Sequence, residues 1–209
     1  MRSPWGFFRL AQELLLDVRE VEDMTLSIAQ NPHPLFPSDL LTGFSPNGKL
    51  WWVVRTRPRD EKALAWFLFR SQIGYYLPMV KRRQPSEKGK RFSLIPLYPG
   101  YLFMVADIEG RYQAIRSNKI LEVLEVKDQW RLLEELRNIQ LAICSNQRLY
   151  PTKEYEPGEE VVIGRGPLKG VKGVIVRKEN STRLILRITS ADLLCYVKIP
   201  EDMLDQIFN

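Results

Sequence analysis

Hydrophobic and polar positions change period several times along the chain, and each change marks an element. Residues 51–56, Trp-Trp-Val-Val-Arg-Thr, are an aromatic and β-branched run ended by Pro58, which predicts a strand. Ala63, Leu64, Trp66, Phe67, Phe69 and Ile73 then recur at helical spacing. Asp60 and Glu61 occupy the first turn and Gly74 stands just past the end, so residues 59–73 predict a helix packed on a sheet. Residues 75–81, 92–97 and 101–106 read as strands, with a charged hairpin loop at 86–90 between the first two. A short helix over about 109–118, a strand over 121–126 and a longer helix over about 129–144 complete this part. The mixture predicts an α+β fold: an antiparallel sheet with flanking helices.

The pattern then lapses. Residues 146–157 are polar, contain Pro151 and Pro157 and show neither period, which predicts a linker. Beyond it every run is strand-like: 161–163, 172–178, 183–189 and 193–199 are short and about ten residues apart, as in a small all-β, SH3-like barrel. In the third run Leu184, Leu186 and Ile188 alternate with Arg183, Ile185 and Arg187, giving one core face and one wet face. At the other end, Phe7, Leu10, Leu14, Val18 and Val21 predict a helix over 7–29, followed by a proline-rich extended stretch. That stretch either docks on the main domain or binds a partner. The expected organisation is an extension (1–48), an α+β domain (49–145), a linker (146–157) and the barrel (158–209).

The glycines of residues 161–179 raise the question of a phosphate-binding loop, and the spacing excludes one. Five residues separate Gly164 from Gly170, and Val171 stands where a Walker lysine belongs. A dinucleotide fingerprint needs glycine three residues after Gly166, where Lys169 stands. The β-branched run Val174, Ile175, Val176 also favours a strand over the helix whose N-terminus would hold the anion. Gly164, Gly166, Gly170 and Gly173 are therefore expected to serve turns, a strand kink and close backbone approach.

Candidate chemistry is sparse. Cys144 and Cys195 are far apart and no Cys/His cluster accompanies them, so neither a disulfide framework nor structural zinc is supported, and a reducing cytoplasm fits. The single histidine, His33, lies between prolines without a nucleophile nearby. Glu134 with Glu135, and Glu159 with Glu160, are adjacent and diverge on any regular element, so no catalytic constellation emerges and no cofactor is expected. Arg9 and Glu13 interrupt the first apolar run, which therefore does not read as a secretion signal, and no run is long enough to span a bilayer. The formal net charge of +6 is the sum of +9 in residues 49–99, with 12 Lys+Arg against 3 Asp+Glu, and −3 in the rest of the chain. A polyanion contact and a solvated basic face both account for that excess.

YEPGEEVVIGRGPLKGVKGVI (residues 155–175) resembles the KOW motif of the NusG family, and PLYPGYLFM (96–104) resembles the signature strand of that family's N-terminal (NGN) domain. Both occur in the family's order, after a similar Trp51-Trp52-Val53-Val54 strand and amphipathic helix, so the resemblance covers residues 50–208. The basic hairpin leading into the signature strand is similar to the specialised, RfaH-type branch. The resemblance implies a non-enzymatic, monomeric transcription elongation and antitermination factor that suppresses pausing by holding the RNA polymerase clamp closed. It implies clamp-helix contacts at Tyr101 and Phe103, with Tyr98, Leu133 and Leu136, and a contact to the opposite wall of the cleft at Tyr112 and Gln113. Arg55, Arg57, Arg59 and Lys62 match positions that approach non-template DNA. Ile163 and Leu168, in and beside the Gly-Pro-x loop, match the surface by which the KOW domain recruits a ribosomal protein or Rho. The alternative reading is an RNA-binding or ribosome-associated KOW module; for Tyr101 and Phe103, the alternative is plain core packing.

Overall fold

The computed structural model describes residues 31–43, 47–84, 91–153, 158–178, 181–199 and 207–208. The expected helix over 7–29 and the hairpin tip at 86–90 lie outside them. The first part runs β1 (Leu35–Phe36), β2 (Leu50–Thr56), α1 (Glu61–Arg70), β3 (Gly74–Tyr76), β4 (Met79–Gln84), β5 (Arg91–Pro96), β6 (Tyr101–Ala106), α2 (Ile108–Arg116), β7 (Ile120–Glu125) and α3 (Gln129–Cys144). The second runs β8 (Leu149–Thr152), β9 (Glu159–Ile163), β10 (Lys172–Lys178), β11 (Ser181–Ile188), β12 (Leu193–Ile199) and β13 (Ile207–Phe208). The chain is thus an α+β protein with antiparallel sheets and a β-rich C-terminal lobe.

The first sheet has the order β1-β3-β6-β2-β7, every pair antiparallel. Its central strands are buried on both faces, which is why β2 and β6 read as continuous apolar runs. Trp51, Val53, Phe103, Val105 and Tyr76 form one core with Leu132, Leu133, Leu136, Ile139 and Ala142 of α3. By strand alternation Trp52, Val54, Leu102 and Met104 point the other way, where α1 and α2 pack. Side-chain caps start two of the helices: Asp107 accepts from the Gly110 N–H at 2.8 Å and Asp128 from the Arg131 N–H at 2.9 Å.

Helix α1 stops at Arg70 rather than continuing to residue 73, because Gln72 takes φ 56° and the Ile73 N–H reaches back to Leu68 O at 2.9 Å. Ile73 is therefore a buried contact beyond the helix end, not a residue of its last turn. The expected strand at 75–81 is two strands, divided at Leu77-Pro78, where the Leu77 N–H bonds Pro34 O at 2.7 Å and the Leu97 N–H bonds Pro78 O at 2.8 Å. These bonds also tie the proline-rich stretch to the domain, with Tyr75 Oη donating to His33 O at 2.9 Å and Leu40 and Leu41 joining the core. Strands β4 and β5 pair as a separate ribbon, and residues 81–95 group apart from the compact unit formed by 32–80 and 96–209.

The C-terminal sheet has the order β13-β9-β10-β11-β12-β8. Its strand β8 lies inside the segment read from sequence as linker. Pro151 hides it; proline is tolerated there because β8 is an edge strand that, among the described residues, pairs only with β12. Gly173 answers the glycine question most sharply. A Cβ at that position would stand 2.6 Å from Ile185 O and 2.9 Å from a Leu184 methyl, so β10 can follow this path only without a side chain there. Gly166 and Gly170 instead supply positive φ, 74° and 85°, in the intervening turn.

Candidate functional site

Helix α3 lies between the two sheets, and its apolar residues serve both. Leu132, Leu133, Leu136 and Ile139 share one continuous core with Leu184, Leu186, Ile188, Cys195 and Val197 of the C-terminal lobe. Around that contact runs a short polar clasp. The Asn138 carboxamide donates to Lys172 O at 2.5 Å and accepts from the Lys172 N–H at 2.7 Å, completing the end of β10 as a neighbouring strand would. Glu135 accepts from the Thr189 N–H at 2.9 Å and from its hydroxyl at 2.6 Å, and Arg131 approaches the same carboxylate at 3.3 Å. Tyr98 Oη donates to Cys195 Sγ at 3.4 Å. Burial pushes the Cys195 thiol up to about 12, with the Tyr98 bond opposing, and drives the Tyr98 phenol well above its ordinary value.

The structure brings part of the expected clamp-helix patch together. Tyr98, only 3% exposed, gathers with Leu133 and Leu136 under the C-terminal lobe, and Tyr101 packs partly exposed at the margin of the same core. Phe103 lies deeper: it is fully buried on the central strand and stacks on Tyr76 at 6.4 Å, which is the core position its alternation with Tyr101 also allowed. Tyr76 in turn donates to Gln140 of α3 at 2.8 Å. Ile163 and Leu168, expected at an exposed recruiting loop, are both buried in the continuous core, Leu168 with no exposure at all. An apolar side chain in a short turn folds inward where the core it borders offers it a dry surface.

Tyr112 and Gln113 sit elsewhere, on the outer side of α2, where they line a shallow depression with Ile108, Glu109 and Arg116. Tyr112 is 58% exposed and Ile108 70%, and with Ile115 they recur at helical spacing as an apolar stripe that the sequence reading had not extended beyond Tyr112.

Of the basic residues between β2 and the start of α1, Arg55, Arg57 and Arg59 are solvent-facing. Arg55 donates to Glu122 at 2.8 Å, and that bond raises its pKa further. Arg57 donates to Asn118 at 2.9 Å; Arg59 is exposed and holds φ 67°; Lys62 is half-buried, and burial lowers its pKa. Glu61, expected only as a first-turn acid of the helix, is buried at the start of α1, and its carboxylate accepts from the Gly100 N–H at 2.6 Å and so fixes the turn into β6. Among the described residues no group of three or more His, Cys, Asp or Glu could hold a metal, and no helix is long and apolar enough to cross a membrane.

A search of curated proteins finds no match. Among solved structures the chain is similar to one titled as showing domain interaction in NusG of Thermotoga maritima, at 19% identity and a TM-score of 0.41, covering 71% of this chain and 92% of that one. The family model described as transcription termination factor NusG matches residues 49–156, from the lysine before β2 through β8 and the segment that follows it. With more than half its length matched, and the matched part containing the five-stranded sheet's central strands and α3, this chain belongs to the NusG family of transcription elongation and termination factors.

Proposed function

We propose that this protein is a non-enzymatic elongation and antitermination factor of the specialised, RfaH-type branch. It binds RNA polymerase through the face that α3 shares with Tyr98 and Tyr101, suppresses pausing, and recruits a further partner through a C-terminal KOW domain. Family membership supports polymerase as the target, and one observation carries the choice of face: Leu133, Leu136 and Tyr98 are apolar or aromatic groups gathered on one helix and turn. Their cover is held at its polar margin by Asn138, Glu135 and Tyr98. A helix-in-groove partner uses such groups as anchors. In the closed arrangement polymerase has to displace the C-terminal lobe before α3 becomes available, and the same step frees Ile163 and Leu168 for the second partner.

Tyr112 and Gln113 provide the second contact, on the opposite wall of the cleft, and Arg55, Arg57, Arg59 and Lys62 approach non-template DNA. Arg55 does so only by exchanging Glu122 for phosphate. The test is co-purification of the tagged protein from its own cells, with and without nuclease, beside a Tyr101→Ala variant. The expected result is nuclease-resistant polymerase that the variant loses; recovery of polymerase with wild type and variant alike refutes the assignment of this face.

A further inference from the structure

Helix α3 is held along two flanks. Glu135 and Asn138, three residues apart and so on one side of the helix, clasp Thr189 and Lys172 of the C-terminal lobe. Arg137 and Gln140, also three apart, share the other side. There the Arg137 Nε–H donates to Leu41 O at 2.5 Å, and Gln140 Oε1 accepts from Tyr76 Oη at 2.8 Å. Leu132, Leu136 and Ile139 form the buried stripe between the two flanks.

Residues 32–43, which precede the segment matched to the family, build the second flank. β1 extends the first sheet at its edge, with Leu35 opposite Tyr76 and Phe36 opposite Tyr75. The chain then turns tightly: the Leu40 N–H bonds Pro37 O at 3.0 Å, and the Thr42 and Gly43 N–H groups bond Asp39 O at 2.8 and 2.7 Å. This turn delivers Leu40 and Leu41 to the core that α3 shares with both sheets, and it aims Leu41 O at Arg137. Gly74 allows the close approach, because a Cβ there would stand 3.3 Å from a Leu40 methyl and 3.5 Å from Phe36 O.

Apolar contacts, being non-directional, do little to stop a helix rolling about its axis, whereas hydrogen bonds fix the angle. A roll of about 20° carries a side-chain atom roughly 6 Å from the axis through about 2 Å, which breaks such a bond. We propose that residues 32–43 are a strap that sets the roll of α3, and through it the closure of the C-terminal lobe, with Arg137 as the positioning residue. Held at Leu41 O on one flank, α3 presents Glu135 and Asn138 to Thr189 and Lys172 on the other. Released there, it turns, and the clasp loses its alignment. That the strap thereby sets how readily polymerase reaches α3 rests on the function proposed above; its hold on the lobe does not.

The experiment is maleimide labelling of Cys195 in the full-length protein carrying Cys144→Ser, under native conditions, with urea unfolding measured in parallel. Cys195, fully buried and bonded by Tyr98, is reached only when the lobe opens. Arg137→Ala should speed labelling about five- to tenfold, as loss of one hydrogen bond does, and Arg137→Lys, which keeps charge and donor, should stay within about twofold of the parent. Leu40→Ala, a change on the strap alone, should also speed it. Combined with Asn138→Ala, Arg137→Ala should add less than its own factor, because a helix already turned has lost the Asn138 bonds. Labelling within twofold of the parent in Arg137→Ala or in Leu40→Ala would overturn the proposal. So would a rise with the full urea dependence of global unfolding, or effects of Arg137→Ala and Asn138→Ala that multiply in full. No polymerase enters the assay, so failure here leaves the polymerase reading standing, and failure of co-purification leaves the strap.

Discussion

Replacing Asn138 with alanine removes two hydrogen bonds between α3 and the Lys172 backbone and nothing else of comparable strength. Each such bond contributes about 0.5–1.5 kcal/mol net, and the freed Lys172 groups are at an exposed position where water satisfies them. The expected cost to the closed arrangement is therefore about 2 kcal/mol, roughly a 30-fold rise in the ratio of open to closed molecules. Cys195 reports this directly. Its thiol is fully buried, bonded by Tyr98 and held far from ionisation, so it reacts only from opened molecules, and its labelling rate follows their population when closing is fast. In a Cys144→Ser background, which removes the exposed thiol, a maleimide should label the Asn138→Ala variant about 10–30 times faster than its parent while thermal unfolding stays cooperative. A labelling rate within twofold of the parent would show that the carboxamide does not hold the lobes together.

Gly173→Ala places a methyl against Ile185 O, which belongs to a paired strand and cannot yield, so the C-terminal lobe should lose about 2–4 kcal/mol, read by chemical denaturation. Cys195 and Tyr98 both have pKa values raised on folding. The unfolded chain releases these protons first, so their contribution is intact below about pH 9 and is lost as pH rises towards 12; Cys195→Ala should flatten the fall in melting temperature over that range. Tyr112→Ala, at an exposed ring on α2, should leave the melting temperature within about 2 °C and still weaken polymerase binding about tenfold or more, as loss of an aromatic anchor does. Glu61→Gln weakens the charged acceptor of the Gly100 N–H and should cost about 1 kcal/mol, checked by urea titration.

Much of this architecture was legible in the sequence because local pattern and final environment agree. β6, α3, β10 and β12 have the bounds their periods indicate, since each meets its partner along its whole length. The elements that were not legible depend on distant partners. β8 contains a proline and, among the described residues, pairs only with β12, and β1 is a two-residue strand inside a proline-rich stretch that Tyr75 and Leu77 recruit. The site was legible only in part for the same reason. Alternation placed Tyr101 and Phe103 on one face but carries no information on which of them a helix covers. Nor did the sequence indicate that the C-terminal lobe lies over Leu133 and Leu136, because no local pattern encodes a contact made by Asn138 with a strand 34 residues away.

The covered face of α3 is the centre of this account, and the affinity of full-length protein for purified RNA polymerase tests it most directly. Wild type, Asn138→Ala and Asn138→Ala combined with Tyr101→Ala would be titrated side by side. Opening the clasp should tighten binding at least about tenfold, and Tyr101→Ala should remove the gain. Equal affinity across all three proteins, or binding weakened by Asn138→Ala alone, would contradict it.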